Sequence, residues 1–293
     1  MAAVTPQLAL RAGAQARRRL VVNRVMESLS TAAALLAIGV LALVIASVAL
    51  RAAPALSWNL FTRAPSLFGG QGGISSAIIG SALILAMATA MAVPVGVLTA
   101  VYLTEFAPRR VAAPIQLVLD MLNGMPTIVT GIFVYGLLVI GHVQSAYAGA
   151  FALAVVMLPL VARATQEVLL LVPSTLREAS LALGVSRWRT VIGIILPSAV
   201  GGVVTGTVIA IARVAGETAP LLFTCSIFNP AVSTDITHAL PNLPVLIFFY
   251  SEQPDPSLHQ QAWAASLVLM AFVLVASLGA RALLARSRRK LEG

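Results

Sequence analysis

The sequence predicts an all-α membrane protein with six transmembrane helices, and three observations lead there. Apolar residues make up 59% of the 293 and charged residues only 10%, against roughly 25% charged in a soluble domain. The apolar residues gather in six separated stretches, where about 20 such residues are enough to cross the hydrocarbon. The basic residues fall in alternate connections between those stretches, as the positive-inside rule requires of a multi-pass protein.

The first stretch, Ser30 to Leu50, follows Arg11, Arg17, Arg18, Arg19 and Arg24. Its uninterrupted length exceeds the roughly 7 to 15 residues of a signal-peptide core, so it reads as a span. The second, Ile74 to Leu103, precedes Arg109 and Arg110. The third, Val111 to Ile140, is expected to break near Asn123 to Pro126. The fourth, Ala148 to Ala162, is followed by Arg163, Arg177, Arg187 and Arg189. The fifth is Ala199 to Thr224 and the sixth Trp263 to Ala285, with Arg281, Arg286, Arg288, Arg289 and Lys290 at the end. Prolines at Pro94, Pro126 and Pro159 are expected to bend or interrupt their helices. The other side receives only Arg51 and Arg63, and its long loop Cys225 to Ala262 carries Asp235, Glu252 and Asp255 without any Lys or Arg. Both termini are therefore expected in the cytoplasm. Trp58, Tyr147, Tyr250 and Trp263 are expected in an outer interfacial belt, with Tyr102 at the inner one. The division is a tail over 1–29, a six-helix transmembrane domain over 30–285 and a second tail over 286–293.

Several function classes drop out. Lys290 is the only lysine and no Gly-x-x-x-x-Gly-Lys run exists, so any ATP driving this protein is hydrolysed by another chain. The single Cys225 excludes an internal disulfide and reads as a small apolar filler, and the scattered His142, His238 and His259 offer no metal spacing. The net charge of +9 has its explanation in membrane orientation, so nucleic acid is not invoked.

Between spans four and five, Pro173 to Pro197 reads as two short cytoplasmic helices. Thr175 and Glu178 have the spacing of a capping box, Gly184 can end the first helix in a left-handed turn, Ser186 can cap the second, and Pro197 is expected to close it. Ala179, Leu181, Ala182 and Leu183 give this elbow an apolar surface, while Arg177, Glu178, Arg187 and Arg189 make a charged rim. The residues admit two uses, a docking face for a soluble partner or an interfacial helix anchored by Trp188. Glu178-Ala179-Ser180, three residues, Gly184, nine residues and Ile194-Ile195-Leu196-Pro197 resemble the EAA loop of ABC importer permeases, with Ser180 for the usual second alanine. The resemblance implies a type I importer permease fold in which Glu178, Ala179, Ser180 and Gly184 form the coupling joint to a cytoplasmic ATPase.

Within the fifth span stands ARVAGETAPLLFT, Ala212 to Thr224, with Arg213 and Glu217 inside an apolar run. Arg213 lies about 21 Å along a helix counted from Ala199, at a depth where an arginine costs at least roughly 2.5 to 3.5 kcal/mol. Glu217 is expected one turn on, on the same face, in reach of an intrahelical pair. Two readings stand: a neutralised structural pair, or a station for an anion. Arginine offers a fork of donors suited to tetrahedral oxyanions, and glutamate accepts a hydrogen bond from one that still carries a proton, which phosphate does and sulfate does not. Asp120 and Asn123, beside the broken third span, are further polar residues and read as caps.

The ARVAGETAPLLFT run, with NGMPTIVTGIFVY from Asn123, NLPVLIFFY from Asn242 and HQQAWAASLVL ending at Leu269, is similar to the A-type permease subunit of phosphate-specific (Pst) ABC importers. This resemblance covers the chain from about Ile74 onward. It implies a bacterial inner-membrane permease forming half of a phosphate pathway, with a homologous C-type permease, two copies of a nucleotide-binding ATPase that bind ATP and Mg, and an extracytoplasmic phosphate-binding protein. It implies a substrate-path role for Arg213 and Glu217, and no enzyme activity, cofactor or metal on this chain. The alternatives are an importer permease for another oxyanion or small solute, a stand-alone secondary transporter, and a membrane scaffold.

Overall fold

The structure, a computed structural model, describes residues 14–66, 72–226 and 233–292, with side chains from 17 to 282. Arg11 and residues 227–232 of the outer loop lie outside the described residues, as do the side chains of Arg286, Arg288, Arg289 and Lys290. Every regular element among the described residues is helical. Residues 1–50 form one unit, within which α1 (Ala14–Ala52) runs helical from inside the expected tail, its apolar side chains such as Leu36 and Leu43 exposed.

The second unit, Arg51–Gly293, holds the rest. A short helix α2 (Trp58–Thr62) leads to α3 (Ser75–Val101), which ends in a wide π turn over Tyr102–Phe106. Next come α4 (Arg109–Gly124) and α5 (Thr127–Val134), the latter extended by a π turn to Val139. The pair meets at a bend of 101°. Met125 is extended (φ −75, ψ 135) because the ring of Pro126 disfavours helix in the residue before it, so the expected break occurs there. Pro94 and Pro159 behave otherwise, since α3 and α6 (Ala146–Leu170) run helical through them. In a packed bundle neighbouring helices offset the single lost hydrogen bond.

The elbow consists of α7 (Ser174–Ala182) and α8 (Arg187–Thr190). Pro197 does not close the second helix as expected. A π turn over Val191–Ile195, closed by Leu196 N–H on the Val191 carbonyl, widens the helix just where the proline ring would strike the Gly193 carbonyl. The chain passes directly into α9 (Leu196–Val214), so the fifth span is Arg187–Val214 rather than Ala199 to Thr224. α10 (Ala219–Thr224), α11 (Leu243–Glu252) and α12 (Pro256–Glu292) follow, and α12 is helical into the expected C-terminal tail. Five helices are long and apolar enough to cross a membrane, and the bent α4–α5 pair makes a sixth.

The main packing is α3 on α6. Gly80, Ile84, Ala88, Ala92, Gly96 and Ala100 form a buried row at four-residue spacing, small enough for close helix approach. Four residues overshoot one turn by about 40° per step, so the row winds around α3. Its upper end at Gly80 meets the Pro241 carbonyl and its lower end at Gly96 meets Val161 and the Leu158 carbonyl. Tyr250 is not in the interfacial belt; it is buried, with its hydroxyl donating to the Ser66 carbonyl at 3.1 Å. Trp263 stacks beneath the Arg51 guanidinium at 4.8 Å.

Candidate substrate path and coupling elbow

The antiparallel register of α9 on α6 fixes the depth of the intramembrane charges. Gly202 lies against Val168 and Gly206 against Ala164, so the same step continued brings Arg213 level with Met157, the middle of α6. Here the structure departs from the expected intrahelical pair. α9 ends at Val214 and α10 begins at Ala219, leaving Ala215 to Thr218 unwound between them. Pro220 has no N–H for the Gly216 carbonyl and sits in the first turn of α10, while Gly216 adds no side-chain support. Glu217 N–H bonds the Val214 carbonyl and not that of Arg213, so the regular helical turn between the two charges is lost, and no ion pair joins them.

Instead this break faces the other one. Thr127, the first residue of α5 after the Pro126 break, donates from Oγ1 to Glu217 Oε2 at 3.1 Å. Four residues on, Gly131 lies so close to α10 that an added Cβ would stand 2.8 Å from Pro220 Cα. The outer end of α10 is held by Gln144, whose Nε2 donates to the Phe223 carbonyl at 3.1 Å, and by Ser145 N–H on the Thr224 carbonyl. Buried Cys225 does more than fill space, exchanging hydrogen bonds with the Leu240 backbone. Arg213 is exposed in the last turn of α9, and among the described residues no hydrogen bond or ion pair engages its guanidinium. Behind the break, a cavity of about 470 Å³ lined by Gly216, Thr218, Pro244 and Met270 leaves the unwound segment free of packing from that side.

Near the end of α4, Asp120 does not act as a cap. It accepts from Arg163 Nη2 at 2.7 Å, with Gln116 and Gln166 completing a polar cluster between α4 and α6. Asn123 is exposed and caps neither flanking helix.

At the elbow, Gly184 takes φ +75, the left-handed turn expected of it. Neither expected cap forms, since α7 starts after Pro173 and α8 after Ser186 without a side-chain cap. Glu178, Ala179 and Gly184 are exposed, as are Leu181 and Leu183, the latter by 83%, whereas Ser180 faces inward and is buried. Arg177 does not belong to the charged rim. Its guanidinium turns inward to Glu105, with Nη2 to Oε1 at 2.7 Å and Nε to Oε1 at 3.1 Å, and donates further to the Leu169 and Val172 carbonyls. Glu105 is 4% exposed. Its position four residues before the Arg109–Arg110 pair, directly after the second apolar stretch, was the signal the sequence offered.

Comparison with known proteins decides the family. Residues 92–289 match the family described as binding-protein-dependent transport system inner membrane component. A phosphate transport system permease protein PstA of Haemophilus influenzae is 39% identical over 86% of this chain and 90% of its own length. This chain belongs to the PstA permease family. The PstA of Yersinia pestis is 39% identical over 91% of each chain, and PstA 1 of Mycobacterium tuberculosis 40% identical over 75% of this chain and 73% of its own. Among solved structures, an inward-facing MetNI methionine ABC transporter superposes with a TM-score of 0.59 at 18% identity, over 72% of this chain and 95% of that one. That likeness shows the type I importer permease fold. As PstA permeases are multi-pass membrane proteins, the six-span reading and the family agree.

Proposed function

We propose that this chain is the A-type permease subunit of an ATP-driven importer of inorganic phosphate. It forms half of the pathway beside a homologous C-type permease, with both termini in the cytoplasm. ATP and Mg are bound by two copies of an ATPase docked on the elbow through exposed Glu178, Ala179 and Gly184, with buried Ser180 packed behind them, and an extracytoplasmic protein delivers phosphate to the outer loop.

The observation that carries the reading is the meeting of two helix breaks at mid-bundle, with an exposed Arg213 beside a Glu217 that is half-occupied by Thr127. Unwound backbone at this depth is tolerated where it lines a pathway. Arg213 supplies donors for a phosphate oxyanion. Thr127 fixes one oxygen of Glu217 and leaves the other to accept from the phosphate O–H, an interaction sulfate cannot make. The first residue of α5 points the positive end of that helix at the same region. Because the two charges sit on separate segments, the distance between them changes when α9 moves against α10, which provides a physical route to gating. The test is uptake of labelled phosphate by cells with and without this chain, with sulfate as competitor. Dependence on the chain and indifference to sulfate are expected; equal competition by sulfate would overturn the phosphate assignment.

A further inference from the structure

We infer that Glu105 and Phe106, at the foot of the second span, are positioning residues through which movement of the elbow enters the helix bundle. The inference rests on the importer reading above, because it assigns the elbow as the moving part.

The elbow is continuous with α9, so any force on it reaches the fifth span through the backbone. The second span has no backbone continuity with the elbow; it packs on the start of the fifth span through Ala100 and Val101 and reaches the two short helices through two consecutive side chains, each holding a different one. Glu105 takes the fork of Arg177 from α7. Phe106 takes α8, with its ring centroid 5.9 Å from that of Trp188 and the Arg187 guanidinium 5.6 Å from the ring. The π turn over Tyr102–Phe106, closed by Ala107 N–H on the Tyr102 carbonyl, ends the span at this place and turns adjacent residues toward different partners. Arg177 also grips the Leu169 and Val172 carbonyls at the end of α6, so one guanidinium joins the second span, the fourth span and the elbow.

This arrangement suits a pin and not a latch. Glu105 is nearly fully buried, and opening the pair would leave its charge without a counterpart in a medium that cannot hydrate it. The pair therefore stays closed while the elbow turns, and the second span has to follow.

The test uses the whole complex in proteoliposomes, with phosphate taken up per ATP hydrolysed as the readout. Glu105→Gln and Arg177→Lys, which keep size or charge but lose the paired fork, are each expected to leave assembly and ATP hydrolysis near normal while uptake per ATP falls about ten-fold. Phe106→Ala should lower it about three-fold, and adding it to Glu105→Gln should bring little further loss. An unchanged ratio in Glu105→Gln overturns the inference. So does loss of assembly in step with loss of uptake, which would make the pair merely structural. If the unaltered complex takes up no phosphate, the importer reading itself fails; if it does and the variants match it, only the pin is wrong.

Discussion

Two places in this molecule hold an arginine and a glutamate, and they are built in opposite ways. At the elbow, Arg177 and Glu105 close on each other with a buried fork and two backbone carbonyls filling the remaining donors. At mid-bundle, Arg213 stands in the last turn of α9 and Glu217 in the break that follows it, and the arginine is exposed. Truncating one partner of a closed buried pair outright costs about 3–5 kcal/mol because the other is stranded, whereas Glu105→Gln keeps an acceptor for Arg177 and Arg177→Lys keeps a charge for Glu105. An arginine exposed as Arg213 is costs the fold little to remove, so its loss should be felt in what passes by it. The difference teaches that residue type alone does not assign a role, whereas satisfaction does.

The comparison breaks most sharply at Arg213. Arg213→Gln is expected to reduce phosphate uptake about 100-fold, the worth of a charged hydrogen-bond donor set, with the complex still purified intact. Loss of assembly would instead make it a second closed pair. Gly184→Val forces a branched side chain into a left-handed backbone, a strain of about 1–3 kcal/mol. A roughly ten-fold fall in uptake per ATP, with hydrolysis retained, is the expected outcome. Thr127→Val removes the donor that orients Glu217; uptake should fall about three-fold and discrimination against sulfate should weaken, measured by competition.

The smallest effect lies in the outer loop. Hydrogen bonds from the Thr237 hydroxyl and backbone N–H, and then His238, hold the Asp235 carboxyl below its usual range. A depressed carboxylate stabilises its turn above the ordinary carboxylate range and loses that contribution as pH falls through the folded value. Protection of the Thr237 amide, its exchange rate set against the unstructured rate at the same pH, should therefore be highest at neutral pH and fall in acid, and Asp235→Asn should flatten that profile without altering uptake at neutral pH.

Much of this contrast was visible before any coordinates. The Pro126 break follows from backbone sterics, the Gly184 turn from a helix stop signal, and the spans from apolar length. What escaped has a common cause. The Glu105 to Arg177 pair joins residues 72 apart, and the Thr127 to Glu217 bond residues 90 apart; neither leaves a periodic trace, because pairing between spans depends on which faces meet. The missed helix end at Val214 and the missed continuation through Pro197 show proline acting in two directions. A π turn can absorb the ring in one place, whereas a following glycine-containing gap accepts the break in another.

The winding row of small residues on α3 has a consequence at a distance. At its top, Gly80 admits the Pro241 carbonyl and Ser81 Oγ accepts the Leu243 N–H at 2.7 Å; at its base the same rod ends in Glu105. One helix thus ties the segment before α11 at one end of the bundle to the elbow at the other. Displacement of the segment before α11 therefore bears on the same helix whose far end is gripped by Arg177.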